Sequence, residues 1–272
     1  MKNYKEYIFE YLLVLTVLLL SITGFWEIYF GDNANPTPYQ NFHVVTIFIW
    51  QFLLLYQLSL ISKKEYSIHR KIGLSILFIG PLLFATTALL SVHSAHKGIV
   101  SGKGDILIVQ NVMGVFELGL IILIAFILKN RRKLHGAFLL STLLLFMGIS
   151  LFFTLLSFVP QFEIKGPETF NRFGTAGATA QLTSLFIGLL FFLKNWRYGW
   201  PYLLAGSTFV FNQFINTLLV KQNLIQPLTK FVGSLNQLNT FFVSFIVFLI
   251  LLTLTGIANK KQVAKLRQPS AD

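Results

Sequence analysis

Between Phe42 and His96 the chain reads FHVVTIFIWQFLLLYQLSLISKKEYSIHRKIGLSILFIGPLLFATTALLSVHSAH, two long apolar runs joined by a short basic turn. Each run is close to the roughly 20 apolar residues needed to cross a bilayer, so this unit predicts a transmembrane helical hairpin. The pattern recurs along the chain. Hydrophobic residues make up 54% of the sequence and charged residues only 12%, against about 25% charged in soluble domains. The expected fold class is all-α, a polytopic transmembrane helical bundle forming one integral membrane domain over residues 1–272. The net charge of +12 is held in short Lys/Arg clusters between apolar runs, where the positive-inside rule accounts for it. The implied partner is the lipid bilayer, and nucleic acid is not. The chain has no cysteine, which removes disulfides, thiolate metal sites and thiol nucleophiles and leaves His, carboxylate and amide oxygen as metal ligands.

Eight helices are expected at about 7–26, 42–61, 72–91, 106–128, 137–158, 181–193, 201–220 and 231–257, with a polar tail over 258–272. The first has no small-residue cleavage site and reads as a retained helix. The turns SKKEYSIHRK and KNRRKLHG are the most basic and are assigned to the cytoplasm with both termini, whereas GDNANPTPYQN, free of Lys and Arg, faces outward. This places the protein in a plasma membrane, the cytoplasmic membrane of a bacterium. Pro81 falls near the middle of the third predicted helix, where a kink is expected. The segment VPQFEIKGPETFNRFGTAGATA is longer than the usual connection between packed helices, so a lid or re-entrant segment is expected there. A faint repeat relates SIHRKIGLSILFIGPLLFATTALLS to KLHGAFLLSTLLLFMGISLFFTLLS, each a basic cluster around His followed by Gly and an apolar helix.

Against this background the few polar groups carry the functional argument. His43, Trp50 and Gln57 recur every seven residues with Thr46 between them, so they share one helix face turned toward protein. Helix packing through hydrogen bonds explains such a stripe as well as a site does. His43, His93 and His96 fall at the outer boundary and His69 and His135 at the inner one. If the helix continues past Ser91, His93 and His96 face one site, and the antiparallel helix brings His43 to the same level. Three imidazoles there offer ligands for a transition metal or axial ligands for haem b; the plainer alternative is hydrogen bonding to water and headgroups. His69 and His135 are embedded in Lys and Arg, anchors that would also suit haem propionates.

Glu117 is the only carboxylate deep in a predicted span. At about 1.5 Å per residue it lies near 16 Å beyond Ile106, close to the middle of a bilayer core of about 30 Å. A charge there is tolerated only through protonation or a polar partner, which makes a functional role the default. Gln110 precedes it on the same face, and Asn212 and Asn216 form an i,i+4 pair in the seventh helix. With Trp50 and Gln57 these outline a polar cavity for a proton, ion or small molecule, or a set of amide contacts between helices. Phosphate-cradling, nucleophile-elbow, zinc-protease and dinucleotide motifs are all absent. Aspartate occurs only at Asp32, Asp105 and Asp272.

His43, Trp50, Gln57, His69-Arg70 and Gly73, followed by Pro81 and a second basic His helix start at His135, resemble a family of uncharacterised bacterial multi-pass membrane proteins over about residues 42–159. The placement of histidines at both membrane faces is similar to cytochrome b561 and ferric-reductase-like bundles, in which neighbouring helices hold b haems. That resemblance implies haem ligation by His43 with His93 or His96, and by His69 and His135, and electron transport; the expected partner is a homo-oligomer or a respiratory-chain protein. The chain departs from the pattern in its fourth helix, which has Gln110 and Asn111 and no histidine. Two functions follow as expectations: membrane redox chemistry or its assembly at a haem or metal, or non-enzymatic, proton-coupled carriage of a small solute through Glu117. No reaction is assigned.

Overall fold

The computed structural model describes residues 4–32, 34–102 and 104–266, with the side chains of the last helix described as far as Thr255. It is all-helical among the described residues: α1 (Ile8–Gly24), α2 (Trp26–Tyr29), α3 (Pro38–Ser62), α4 (Tyr66–Gly73), α5 (Ile76–Val100), α6 (Ile108–Ile127), α7 (Arg132–Phe158), α8 (Asn171–Lys194), α9 (Trp196–Lys221), α10 (Ile225–Gly233) and α11 (Gln237–Leu266). Eight of these, α1, α3, α5, α6, α7, α8, α9 and α11, are long and apolar enough to cross a membrane. α7 packs on α1, α6, α8 and α9, while α5 packs on α3, α6, α10 and α11. The core between them is built around Trp50, Phe138, Leu143, Leu144 and Met147, all essentially buried.

Several boundaries differ from the sequence reading for local reasons. α3 starts at Pro38 because Thr37 and Gln40 form a capping box: Gln40 N–H donates to Thr37 Oγ1 at 3.4 Å and Thr37 N–H donates to Gln40 Oε1 at 2.8 Å. It ends in a Schellman turn, with Glu65 N–H donating to Leu60 O at 2.8 Å across Lys64 at φ 64°. The third predicted helix is divided. α4 ends at Gly73, the chain passes through i→i+3 bonds at Leu74 and Ser75, and α5 begins at Ile76. Pro81 therefore lies in the second turn of α5 instead of mid-helix, and α5 runs on to Val100.

The expected long loop is the largest correction. A short connection ends in a single 3-10 turn at Pro167–Thr169, and α8 starts at Asn171, ten residues before the predicted start. The expected lid or re-entrant segment is thereby shortened to residues 159–170. The last predicted helix is also divided, into α10 and α11, and α11 continues to Leu266 through most of the expected polar tail. Residues 267–272 of that tail lie outside the described residues.

Small residues explain why α8 and α9 form the tightest helix pair. Ala176, Ala180, Ser184 and Gly188 are buried at every fourth position of α8, a spacing that lets helix backbones approach closely. A Cβ on Gly188 would lie 2.5 Å from Tyr202 O, and one on Gly206 would lie 2.6 Å from Ser184 O. Glycine is required at both positions because backbone occupies the space of a side chain.

Candidate functional site

Four helices, α3, α5, α6 and α7, with α9 behind them, enclose a cavity of about 310 Å³. Tyr29, Gln40 and Lys97 line one end, His43, His93 and Ser94 the wall, and Gln110, Asn111, Glu117 and Asn212 the part deeper in the bundle. Glu117 is nine residues into α6, so it lies roughly 14 Å along that helix. The polar neighbours of its carboxyl are Asn212 and Thr208. Asn212 Nδ2 donates to Gln110 Oε1 at 3.2 Å, and Asn212 Oδ1 is buried without a partner.

His43 is held from behind. Its Nδ1 lies 3.4 Å from Thr86 Oγ1, and Thr86 Oγ1 lies 2.8 Å from Thr46 Oγ1. Thr46 donates to His43 O at 2.7 Å and Thr86 to Leu83 O at 3.0 Å. The Thr46–Thr86 contact takes the proton of one of the two hydroxyls, and the single proton of Thr86 is used either there or at Leu83 O. The arrangement therefore favours Nδ1–H of His43 as donor to Thr86, which leaves a lone pair on Nε2. His93 packs against Tyr39 with ring centroids 5.0 Å apart and the planes tilted by 45°, and its Nδ1 is buried without a partner. At the mouth, the Tyr29 hydroxyl is likewise buried and unpartnered, and burial pushes its phenol above the ordinary range.

The structure brings together His43, His93, Gln110, Glu117 and Asn212 among the residues singled out from sequence. His96 is directed elsewhere: its Nδ1–H donates to Gly233 O of α10 at 3.2 Å. The expected convergence of three histidines is thus reduced to two. No group of three or more His, Asp or Glu side chains poised to hold a metal occurs among the described residues. Trp50 and Gln57 are absent from the cavity lining. Trp50 Nε1–H donates to Thr142 Oγ1 at 2.9 Å and joins α3 to α7. Asn216 lines a neighbouring cavity.

At the basic end of the bundle, Gln57 turns toward α4. In the orientation that satisfies both ends of its amide, nitrogen donates to His69 Nδ1 and to His69 O, and oxygen accepts from Gly73 N–H at 3.0 Å. Burial, and then the proximity of His135, holds the His69 imidazole below its ordinary pKa. His135 Nδ1–H donates to Ala125 O at 2.8 Å. Both inner histidines thus have Nδ1 committed to protein contacts.

Gln40, Ser94, Lys97 and Thr208 belong to the site and were missed from sequence. Gln40 carried a signal in its TPYQ capping box. Ser94 and Lys97 were assigned to a loop because the helix was ended at Ser91, and nothing in the spacing of Thr208 distinguishes it from a packing threonine. The geometry defines a helical bundle with one polar, carboxyl-ended cavity in an apolar body. No family model matches the chain, and no curated protein or solved structure matches it either.

Proposed function

We propose that this protein is a non-enzymatic, proton-coupled carrier for a small polar solute in a bacterial cytoplasmic membrane. With eight spans, the positive-inside rule supports a cytoplasmic side for both termini and the basic turns. The reading rests on one observation: a single cavity extends from Tyr29, Gln40 and Lys97 to Glu117. A carboxyl about halfway along a membrane-spanning helix is costly unless it is neutral or partnered. Asn212 and Thr208 provide partners that accept either protonation state, since an amide N–H or a hydroxyl can donate to the carboxylate and each oxygen can accept from the acid. Solute entering from the outer end displaces water from this cavity, and the change in surroundings alters the proton affinity of Glu117.

Proteoliposomes containing the purified protein and an internal pH dye provide the test. Solutes from a metabolite panel should drive inward proton flux in the native protein, and Glu117→Gln should abolish that flux with the protein still folded. Full flux in Glu117→Gln would remove the basis of this reading.

A second reading, binding of a transition metal or haem b for redox chemistry, draws on a separate observation. His43 and His93 line the same cavity, each with a ring nitrogen free of protein partners in the arrangement above. Metal analysis and an optical spectrum of the purified protein separate the two readings. Stoichiometric metal or a Soret band that disappears in His43→Ala supports the redox reading, and its absence leaves these histidines to bind solute.

A further inference from the structure

Lys97 stands at the mouth of the cavity and Glu117 at its deep end, with His43 and His93 along the wall between them. Ser91 Oγ donates to Asn111 O at 3.1 Å, which sets α5 and α6 in register. Lys97 lies six residues beyond Ser91 toward the mouth, and Glu117 six residues beyond Asn111 into the bundle. Their backbones are therefore about 18 Å apart along the helices. The two charges do not pair with each other or with another charge: the ion pairs of the described residues are Lys165–Glu163 and Lys194–Glu10.

The hydrogen-bonding groups follow the same division. At the mouth, Gln40 Oε1 accepts from Thr37 N–H at 2.8 Å and from the Thr37 hydroxyl at 3.0 Å, so its amide nitrogen is the group left for the cavity. The Tyr29 hydroxyl, also at the mouth, has a proton and no partner. With the exposed Lys97 ammonium, this end offers donors. At the deep end, the Asn212 side chain faces two acceptors, Gln110 Oε1 at 3.2 Å and the Glu117 carboxyl. Its nitrogen turns to them, and Oδ1 is left without a donor on a residue only 1% exposed. His43, with Nδ1–H directed to Thr86, presents the lone pair of Nε2. This end offers acceptors and a carboxyl.

A buried acceptor left without a donor costs about 1–3 kcal/mol, so the deep end is short of an N–H donor. The mouth is short of an anion. A lone cation would answer Glu117 and leave Lys97 unanswered, and a lone anion would do the reverse. We propose that the cavity binds a small zwitterion of the amino acid class, its ammonium toward Glu117 and Asn212 Oδ1 and its carboxylate toward Lys97 and the Tyr29 hydroxyl. The proposal rests on the reading that solute enters this cavity, and adds the chemical class and the orientation of that solute.

The unbranched ω-amino acids from glycine to ε-aminocaproate vary the distance between the two charges and provide the test. Each is titrated against the thermal midpoint of the purified full-length protein in detergent, beside the alkylamine and the alkanoate of the same chain length. One member should bind about tenfold tighter than either control, a difference of about 1.4 kcal/mol. Lys97→Met should bring that member down to the affinity of its amine, and Glu117→Gln should bring it down to the affinity of its alkanoate. Lys97 is exposed, so Lys97→Met carries the test where Glu117→Gln does not fold. A series in which every member binds no tighter than its controls would overturn the proposal, as would a preference for zwitterion over amine that survives Lys97→Met. The best-binding member is then added to proteoliposomes with the internal pH dye. Binding without proton flux would remove the carrier reading and leave this site standing; flux driven by other solutes, with no zwitterion bound, would remove the zwitterion and leave the carrier.

Discussion

Gln57 in α3 ties His69 to Gly73 through one amide, whose nitrogen donates to the His69 ring and whose oxygen accepts from the Gly73 N–H. The ring nitrogen facing Gln57 is an acceptor, so protonating it would set two donors against each other. Burial and the neighbouring His135 act in the same direction and lower the His69 pKa. The folded state therefore binds its proton less readily than the unfolded chain.

The resulting pH dependence has a fixed sign. His69 contributes stability that is fully present above the unfolded value of about 6.5 and is lost as pH falls through the lower folded value. The thermal midpoint in detergent should decline between pH 7.5 and 5, and His69→Gln should make that decline shallower. An unchanged slope would show that His69 titrates alike in both states.

The Asn212–Gln110 contact, which joins α9 to α6, predicts a measurable coupling. Hydrogen bonds of this kind in membrane helices average about 0.6 kcal/mol and reach about 1.7. A double-mutant cycle with Asn212→Ala and Gln110→Ala should give a coupling in that range by unfolding in mixed micelles. A coupling of zero would mean that the two amides are not bonded to each other.

Trp50 is fully buried and its indole donates to Thr142. Thr142→Val keeps the volume but leaves the indole N–H unpaired, so it should cost about 1–3 kcal/mol. Trp50→Ala should cost about 3–5 kcal/mol through the cavity it opens. Chemical unfolding of the two purified variants measures both losses.

Lys64 ends α3 at φ 64°, a conformation that strains any residue with a Cβ by roughly 1–2 kcal/mol. Lys64→Gly should raise the stability of the bundle, by up to about 1 kcal/mol after glycine's own entropy cost. Chemical unfolding of the purified protein measures the gain, and a loss of stability would show that the lysine side chain contributes more than the strain it bears.

The apolar runs were legible because lipid-scale hydrophobicity needs only composition, so all eight candidate spans could be read before the structure. Glu117 and His43 were legible for the opposite reason, as polar exceptions within those runs. The segment 171–180 was misread because Gly, Thr and Ala resemble a loop by local propensity, whereas here small side chains are the condition for α8 to lie close against its neighbours. His96 was grouped with His93 from their spacing of three, yet the two rings diverge enough for one to line the cavity and the other to meet α10. That short helix was hidden because residues 231–257 read as a single apolar run.

The glycine contacts of α8 and α9 set how this region can move. With the Cβ-less face of Gly188 against the Tyr202 carbonyl and that of Gly206 against the Ser184 carbonyl, sliding one helix along the other would drive side chains into backbone at every turn. Displacement is least costly when the hairpin tilts as a single lever against α6 and α7, and Phe209 of α9, whose ring occupies the space a Cβ on Gly148 of α7 would need, would then lift as part of that lever. The ring, which lines the cavity beside Glu117, is thus coupled mechanically to the whole hairpin, and the shape of that wall follows a two-helix body instead of a side-chain rotamer.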